Sequence, residues 1–171
     1  MDIRQTKYRP PEEISKARIS VAYTLYTQGR QPLFIHHGVV AIFSDILTSV
    51  IDQEKCIVPV YCYMPDHQHI VISGTEDIPD LQKVITDYKQ KTDDWMSGNI
   101  PRFRWQMGNY GHVIKDNQGM ASHVRYILDN PVRKGIVSSW DEYPFKGSIG
   151  CSHSDWCRGE AVPRPTWCAI R

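Results

Sequence analysis

The chain has 171 residues, with 20 basic and 19 acidic side chains and a formal net charge of +1. That length supports one domain with a substantial core, and no apolar run approaches the about 20 residues that a membrane-spanning helix needs. Charge this close to neutral leaves nucleic-acid binding open only through a local basic patch, because phosphate contacts carry most of such affinity.

Residues 1–16, with Pro10, Pro11 and mixed charge, read as an irregular N-terminal arm. Met1–Lys7 lacks the apolar core of a signal peptide, so a cytoplasmic location is expected. Ile19, Val21, Tyr23 and Leu25 alternate with Arg18, Ser20, Ala22 and Thr24, the pattern of a half-buried strand. Gln28–Pro32 breaks that strand. From Gly38 to about Gln53, Val39, Phe43, Ile46 and Val50 recur at helical spacing. Two apolar runs, Cys56–Tyr63 and Ile70–Ile72, then flank the turn residues of Met64-Pro65-Asp66, which predicts a β-hairpin. A second helix is predicted to begin at Asp77–Asp80, with Pro79 in its first turn, and to reach about Met96 on a face of Leu81, Val84, Ile85, Tyr88 and Trp95.

Arg102–Gln106 and Tyr110–Ile114 suggest a further strand, interrupted near Gly108. A third helix covers about Gln118–Asn130, with Pro131 and Gly135 closing it. From Ile136 onward, turn residues and Trp140, Trp156 and Trp167 predict an irregular tail folded over the domain. The order β-α-β-β-α-β plus a helix is that of the split βαβ, or ferredoxin-like, α+β class: four antiparallel strands carrying two helices on one face. The expected division is an arm at 1–16, one domain at 17–145 and a C-terminal tail at 146–171.

His67 and His69 follow the hairpin turn. Side chains two apart on a strand share a face, so the two imidazoles form half of a divalent-metal site, or else one is packed and one exposed. On the third helix, Tyr126 and Asn130 lie four apart and project together. An amide oxygen can ligate a hard cation and a phenol can act as a covalent nucleophile; packing with a C-terminal cap is the plainer alternative. Among the five cysteines, Cys56, Cys62, Cys151, Cys157 and Cys168, the odd number argues against a disulfide framework. Cys151, His153, Cys157 and Cys168 match no common zinc spacing well.

Three spaced motifs now stand in order: Pro65-Asp-His-Gln-His69, Trp105-Gln-x3-Tyr-Gly-His-Val-Ile-Lys115 and Tyr126-Ile-Leu-Asp-Asn-Pro-Val-Arg-Lys-Gly-Ile-Val137. Together they resemble the single-tyrosine HUH transposases of the IS200-like superfamily, and within it the REP-associated tyrosine transposases, over about Arg18 to Phe145. The resemblance implies a ferredoxin-like HUH domain that cuts single-stranded DNA through a 5′-phosphotyrosine and leaves a 3′ hydroxyl. By motif, it implies His67, His69 and Asn130 as metal ligands and Tyr126 as nucleophile. It also implies Mg²⁺ or Mn²⁺ as cofactor, hairpin-containing DNA as partner, and a monomer or homodimer as the working unit. This sequence departs from the family pattern at Gln68, where an apolar residue is usual, at Gly111, usually acidic, and at Lys115, usually Arg. The site survives at Gln68 if that side chain faces the other side of the strand.

Lys83, Lys89, Arg102, Arg104, Arg125 and Arg133 are the candidate DNA contacts, with Trp105, Tyr88 and Tyr110 as possible base-stacking rings. A phenol of ordinary pKa about 10 must lose its proton to attack, and His112 and His123 are candidate acceptors. Tyr110 is the competing nucleophile. Two other classes compete with a strand-transferase: a catalytically inactive ferredoxin-like nucleic-acid-binding module, and a His-based metallohydrolase that forms no covalent adduct.

Overall fold

The computed structural model describes residues 19–74 and 80–151, except the side chains of residues 117 and 118. The expected N-terminal arm, the first residues of the predicted second helix and most of the expected tail lie outside the described residues. The elements are β1 (Ser20–Tyr26), α1 (His37–Gln53), β2 (Cys56–Met64), β3 (His67–Gly74), α2 (Leu81–Asn99), β4 (Tyr110–Ile114), α3 (Asn117–Arg133) and β5 (Lys146–Ile149). Short 3₁₀ turns occupy Gln28–Arg30 and Trp140–Glu142.

The strands form one antiparallel sheet in the order β4-β1-β3-β2-β5. Its first four members have the split βαβ arrangement expected from the sequence. Alternation along the strands separates two cores. On one face Val21, Tyr23 and Leu25 of β1 and Ile70 and Ile72 of β3 pack beneath α1 and α2, against Phe43, Leu47, Val84 and Tyr88. On the other, Val60, Cys62, Met64 and Val71 meet Met120, Val124, Ile127 and Leu128 of α3. Burying each of those α3 side chains is worth roughly 1.5–3 kcal/mol, which fixes the tyrosine-bearing helix against the His-bearing strand.

Three expectations need correction. Arg102–Gln106 is not a strand: a single bridge joins Trp105 to Thr27. Around it the Gln28 N–H donates to the Arg104 carbonyl at 2.8 Å and the Gln106 N–H to the Tyr26 carbonyl at 2.7 Å, but the chain after β1 turns into the 3₁₀ segment Gln28–Arg30 and the ladder stops there. α3 does not stop at Asn130 but runs through Pro131 to Arg133. Proline so near the end forfeits one backbone bond, and the last carbonyls are recovered by the N–H groups of Lys134, Gly135 and Ile136, with Gly135 at φ +68°. The tail is not wholly irregular either. Lys146–Ile149 adds a fifth strand along β2, where Gly147 lies against Tyr61 so tightly that a Cβ would fall 2.5 Å from the phenol oxygen.

Candidate active site on the central strand and third helix

The hairpin turn is only Pro65-Asp66, so β3 begins at His67 itself. His67 pairs with Tyr26 and Met64, and His69 with Thr24 and Cys62, which seats both rings in the middle of the sheet on the α3 side. Gln68 points the other way and is fully buried under α2, where its Oε1 accepts from the Tyr88 hydroxyl at 2.9 Å. The condition that the unusual Gln68 imposed is therefore met.

The two imidazoles meet through Nε2 atoms 3.2 Å apart, and each Nδ1 is occupied. His67 Nδ1–H donates to Asp66 Oδ1 at 2.6 Å, and His69 Nδ1 is 3.1 Å from Thr24 Oγ1. Since a carboxylate only accepts, the proton of neutral His67 sits on Nδ1 and its Nε2 carries a lone pair. When His69 Nδ1–H donates to Thr24, two Nε2 lone pairs converge, an arrangement that a cation satisfies. A carboxylate behind one ligand ring and a hydroxyl behind the other are the partners that orient metal-binding histidines.

Burial pushes both rings toward the neutral form a metal needs. For His69 burial acts first, followed by the neighbouring His67 and Arg30, and its pKa falls to about 4. Burial also lowers that of His67, in spite of the adjacent Asp66. Asp66 itself stays below the usual carboxylate range: its partial burial is outweighed by the His67 hydrogen bond and the Arg30 charge. Among the described residues no three His, Cys, Asp or Glu side chains converge, so a cation held by the two histidines would need a third donor of another type. Asn130, one turn after Tyr126, is the amide expected from the sequence. It is 5% exposed, and its Nδ2 donates to the Tyr126 carbonyl at 2.9 Å, which leaves Oδ1 as its remaining polar atom. Of the suggested zinc cluster only Cys151 lies among the described residues, half-buried beside the Val58 carbonyl.

Tyr126 sits one turn before Asn130 on α3, 48% exposed, with its ring centroid 6.3 Å from that of His69. The Arg133 guanidinium lies over the Tyr126 ring, 4.8 Å from its centroid. Between α3 and the β1–β4 edge opens a cleft of ≈ 680 Å³ that reaches both Tyr126 and His69. His112 and His123 stack on its wall, 5.3 Å apart and inclined by 17°. Tyr110, the alternative nucleophile, lines the same cleft from β4.

The other candidates scatter. Lys83 donates to Glu54 and Asp87 and stands on α2, beyond the sheet from the histidines. Lys89 spends its ammonium on the carbonyls of Gln106 and Gly108. Arg102 packs over Phe103, while Arg104 and Arg125 are exposed. Trp105 and Tyr88 are core residues and unavailable for stacking on bases. Sequence reasoning missed the site's supporting groups: Thr24, Asp66 beyond its role as a turn residue, Arg30, which pairs with Asp66 at 2.7 Å, and Lys134, whose charge reaches His67. An Asp immediately before the first His was the one available signal.

The family described as "Transposase IS200 like" matches residues 15–130. The chain belongs to this family. A Haemophilus influenzae relative carrying the name REP-associated tyrosine transposase is 28% identical to this IS200-like chain over 95 residues, 49% of this chain and 54% of that protein. The chain thus matches about half the length of that curated relative. The solved structure of a REP-associated tyrosine transposase bound to a REP hairpin superposes with a TM-score of 0.69 at 18% identity, over 82% of this chain and 81% of that one. At that identity the likeness speaks for the fold: a five-stranded antiparallel sheet with three helices.

Proposed function

We propose that this IS200-like chain cleaves and rejoins hairpin-containing single-stranded DNA, with Tyr126 as nucleophile and a divalent cation held by His67, His69 and Asn130. The observation that carries the reading is the facing Nε2 pair, with the Tyr126 ring beside it in an open cleft. The chemistry of the donors fits such an ion: two imidazole nitrogens suit Mn²⁺, and an amide oxygen suits Mg²⁺ or Mn²⁺. When bound, the ion would act as a Lewis acid and template for the scissile phosphate.

The chain's own groups account for the rest. The Tyr126 oxygen attacks phosphorus, the bond to O3′ breaks, and a 3′ hydroxyl leaves while the 5′ phosphate stays on the tyrosine. Because the phosphodiester energy is retained in that ester, a 3′ hydroxyl can later attack it and restore the strand. Arg133 above the phenol, with Arg30 and Lys134 close to His67, offers positive charge to the phosphate. Tyr126 and the histidines come from one chain, which supports a site complete in a monomer.

The test is incubation with hairpin-bearing single-stranded DNA, with Mn²⁺ or with chelator, resolved on denaturing gels. Metal-dependent cleavage with a covalent protein–DNA band supports the proposal. Cleavage without an adduct would point to a water-using metallohydrolase, and binding without cleavage to an inactive nucleic-acid-binding module.

A further inference from the structure

We infer that the cleft between β4 and α3 is a slot for one unpaired nucleobase next to the scissile phosphate, stacked by Tyr110 against the wall made by His112 and His123. This rests on the strand-transferase reading above and names the part of the DNA that the site holds. Four observations carry it. The cleft is ≈ 680 Å³, within the roughly 300–1,000 Å³ usual for sites that enclose an organic ligand. Its lining contains tyrosines and histidines but no Asp, Glu, Lys or Arg, so it suits a flat neutral ring and not the phosphate itself.

The strand geometry is equally specific. Alternation on β4 puts Tyr110 and His112 on the α3 side, while Gly111 turns to the opposite face against the Tyr23 ring. Tyr110 is 69% exposed, an aromatic face presented to solvent beside the stacked pair of exposed His112 and half-buried His123. Finally, His123 Nδ1–H donates to the Gly119 carbonyl at 2.8 Å. That fixes its tautomer, and the Nε2 of the neutral ring then offers an acceptor to the edge of a base.

Position completes the argument. Tyr126 and His69 line the same cleft, so a base lodged there belongs to a nucleotide adjoining the phosphate under attack. Extruding that base splays the backbone and turns the phosphodiester toward the phenol. Tyr110, placed by sequence as a rival nucleophile, becomes a substrate-positioning and specificity-determining residue.

The experiment uses the full chain and a DNA hairpin with a randomised unpaired flank, from which a tight-binding flank is selected. Single abasic replacements are then walked through that flank, and binding is measured for the wild-type protein and for Tyr110→Ala, an exposed position whose loss leaves the fold intact by circular dichroism. One abasic position should weaken wild-type binding roughly tenfold or more, the scale of one base–aromatic stack. Tyr110→Ala should show a similar loss on intact DNA and no further loss at that one abasic position. Losses that multiply at every position, or no position that stands out while DNA still binds, would overturn the slot alone. Failure to select any binding flank would overturn the slot together with the strand-transferase reading.

Discussion

Replacing Gln68 by methionine is expected to stabilise the fold by about 1 kcal/mol. The side chain is fully buried beneath α2, and only half of its amide is satisfied: Oε1 accepts from Tyr88, while Nε2 has no hydrogen-bond partner. An orphaned buried donor costs about 1–3 kcal/mol, and methionine of similar length removes that cost. The substitution also deprives the Tyr88 hydroxyl of its acceptor, a loss of about 0.5–1.5 kcal/mol, softened by the Tyr63 hydroxyl 3.3 Å away. The balance favours methionine. In urea the midpoint should rise with an unchanged slope, and the melting temperature should rise by roughly 2–4 °C for a chain of this size. The control is Tyr88→Phe, which leaves both ends of the Gln68 amide unpaired and should destabilise. A midpoint that falls in Gln68→Met would refute the reasoning, because it would mean the Nε2 group has a partner worth keeping. Since Gln68 and the histidines project from opposite faces of β3, metal affinity should not change.

Other predictions concern the supporting groups of the site. Asp66→Asn should weaken divalent-metal binding by about 10–100-fold, measured by calorimetry, because the carboxylate that orients His67 is gone. His69 stays neutral in the folded chain down to about pH 4, while the unfolded chain takes up that proton near pH 6.5. Folding without metal should therefore be most stable above about pH 6.5 and lose stability as pH falls toward 4, and urea midpoints of His69→Gln should depend less on pH over that window. Double-stranded DNA should compete poorly for the protein, and binding of single strands should fall with salt by a log–log slope of about −0.7 per neutralised phosphate.

The parts of this molecule that are local in sequence were legible, and the parts that depend on register were not. Period-two alternation put His67 and His69 on one face and Gln68 on the other, and helical periodicity put Tyr126 beside Asn130; both follow from backbone geometry alone. Thr24 is 45 residues from His69 in the chain, and only the β1–β3 register brings them together. Arg30 meets Asp66 in the same way, across a turn that no periodicity describes. Trp105 looked like a strand residue because its neighbours alternate, yet its partner strand turns away at Gln28–Arg30 after a single bridge. The acceptors of Lys83 and Lys89, Glu54 and the Gln106 and Gly108 carbonyls, were not legible because distant segments contribute them. β5 is four residues with no apolar alternation, and pairing with an already formed β2 is what makes it a strand.

The central claim is that Tyr126 is the residue that becomes joined to DNA. Tyr126→Phe removes one oxygen from a half-exposed ring, so fold, metal binding and DNA binding should all persist. The deciding measurement is mass spectrometry of peptides from the trapped protein–DNA adduct formed with Mn²⁺ and hairpin-bearing single-stranded DNA. A nucleotide 5′ phosphate on the peptide containing Tyr126, and no adduct from Tyr126→Phe, is the result expected. A nucleotide on Tyr110, or cleavage that persists in Tyr126→Phe, would contradict it.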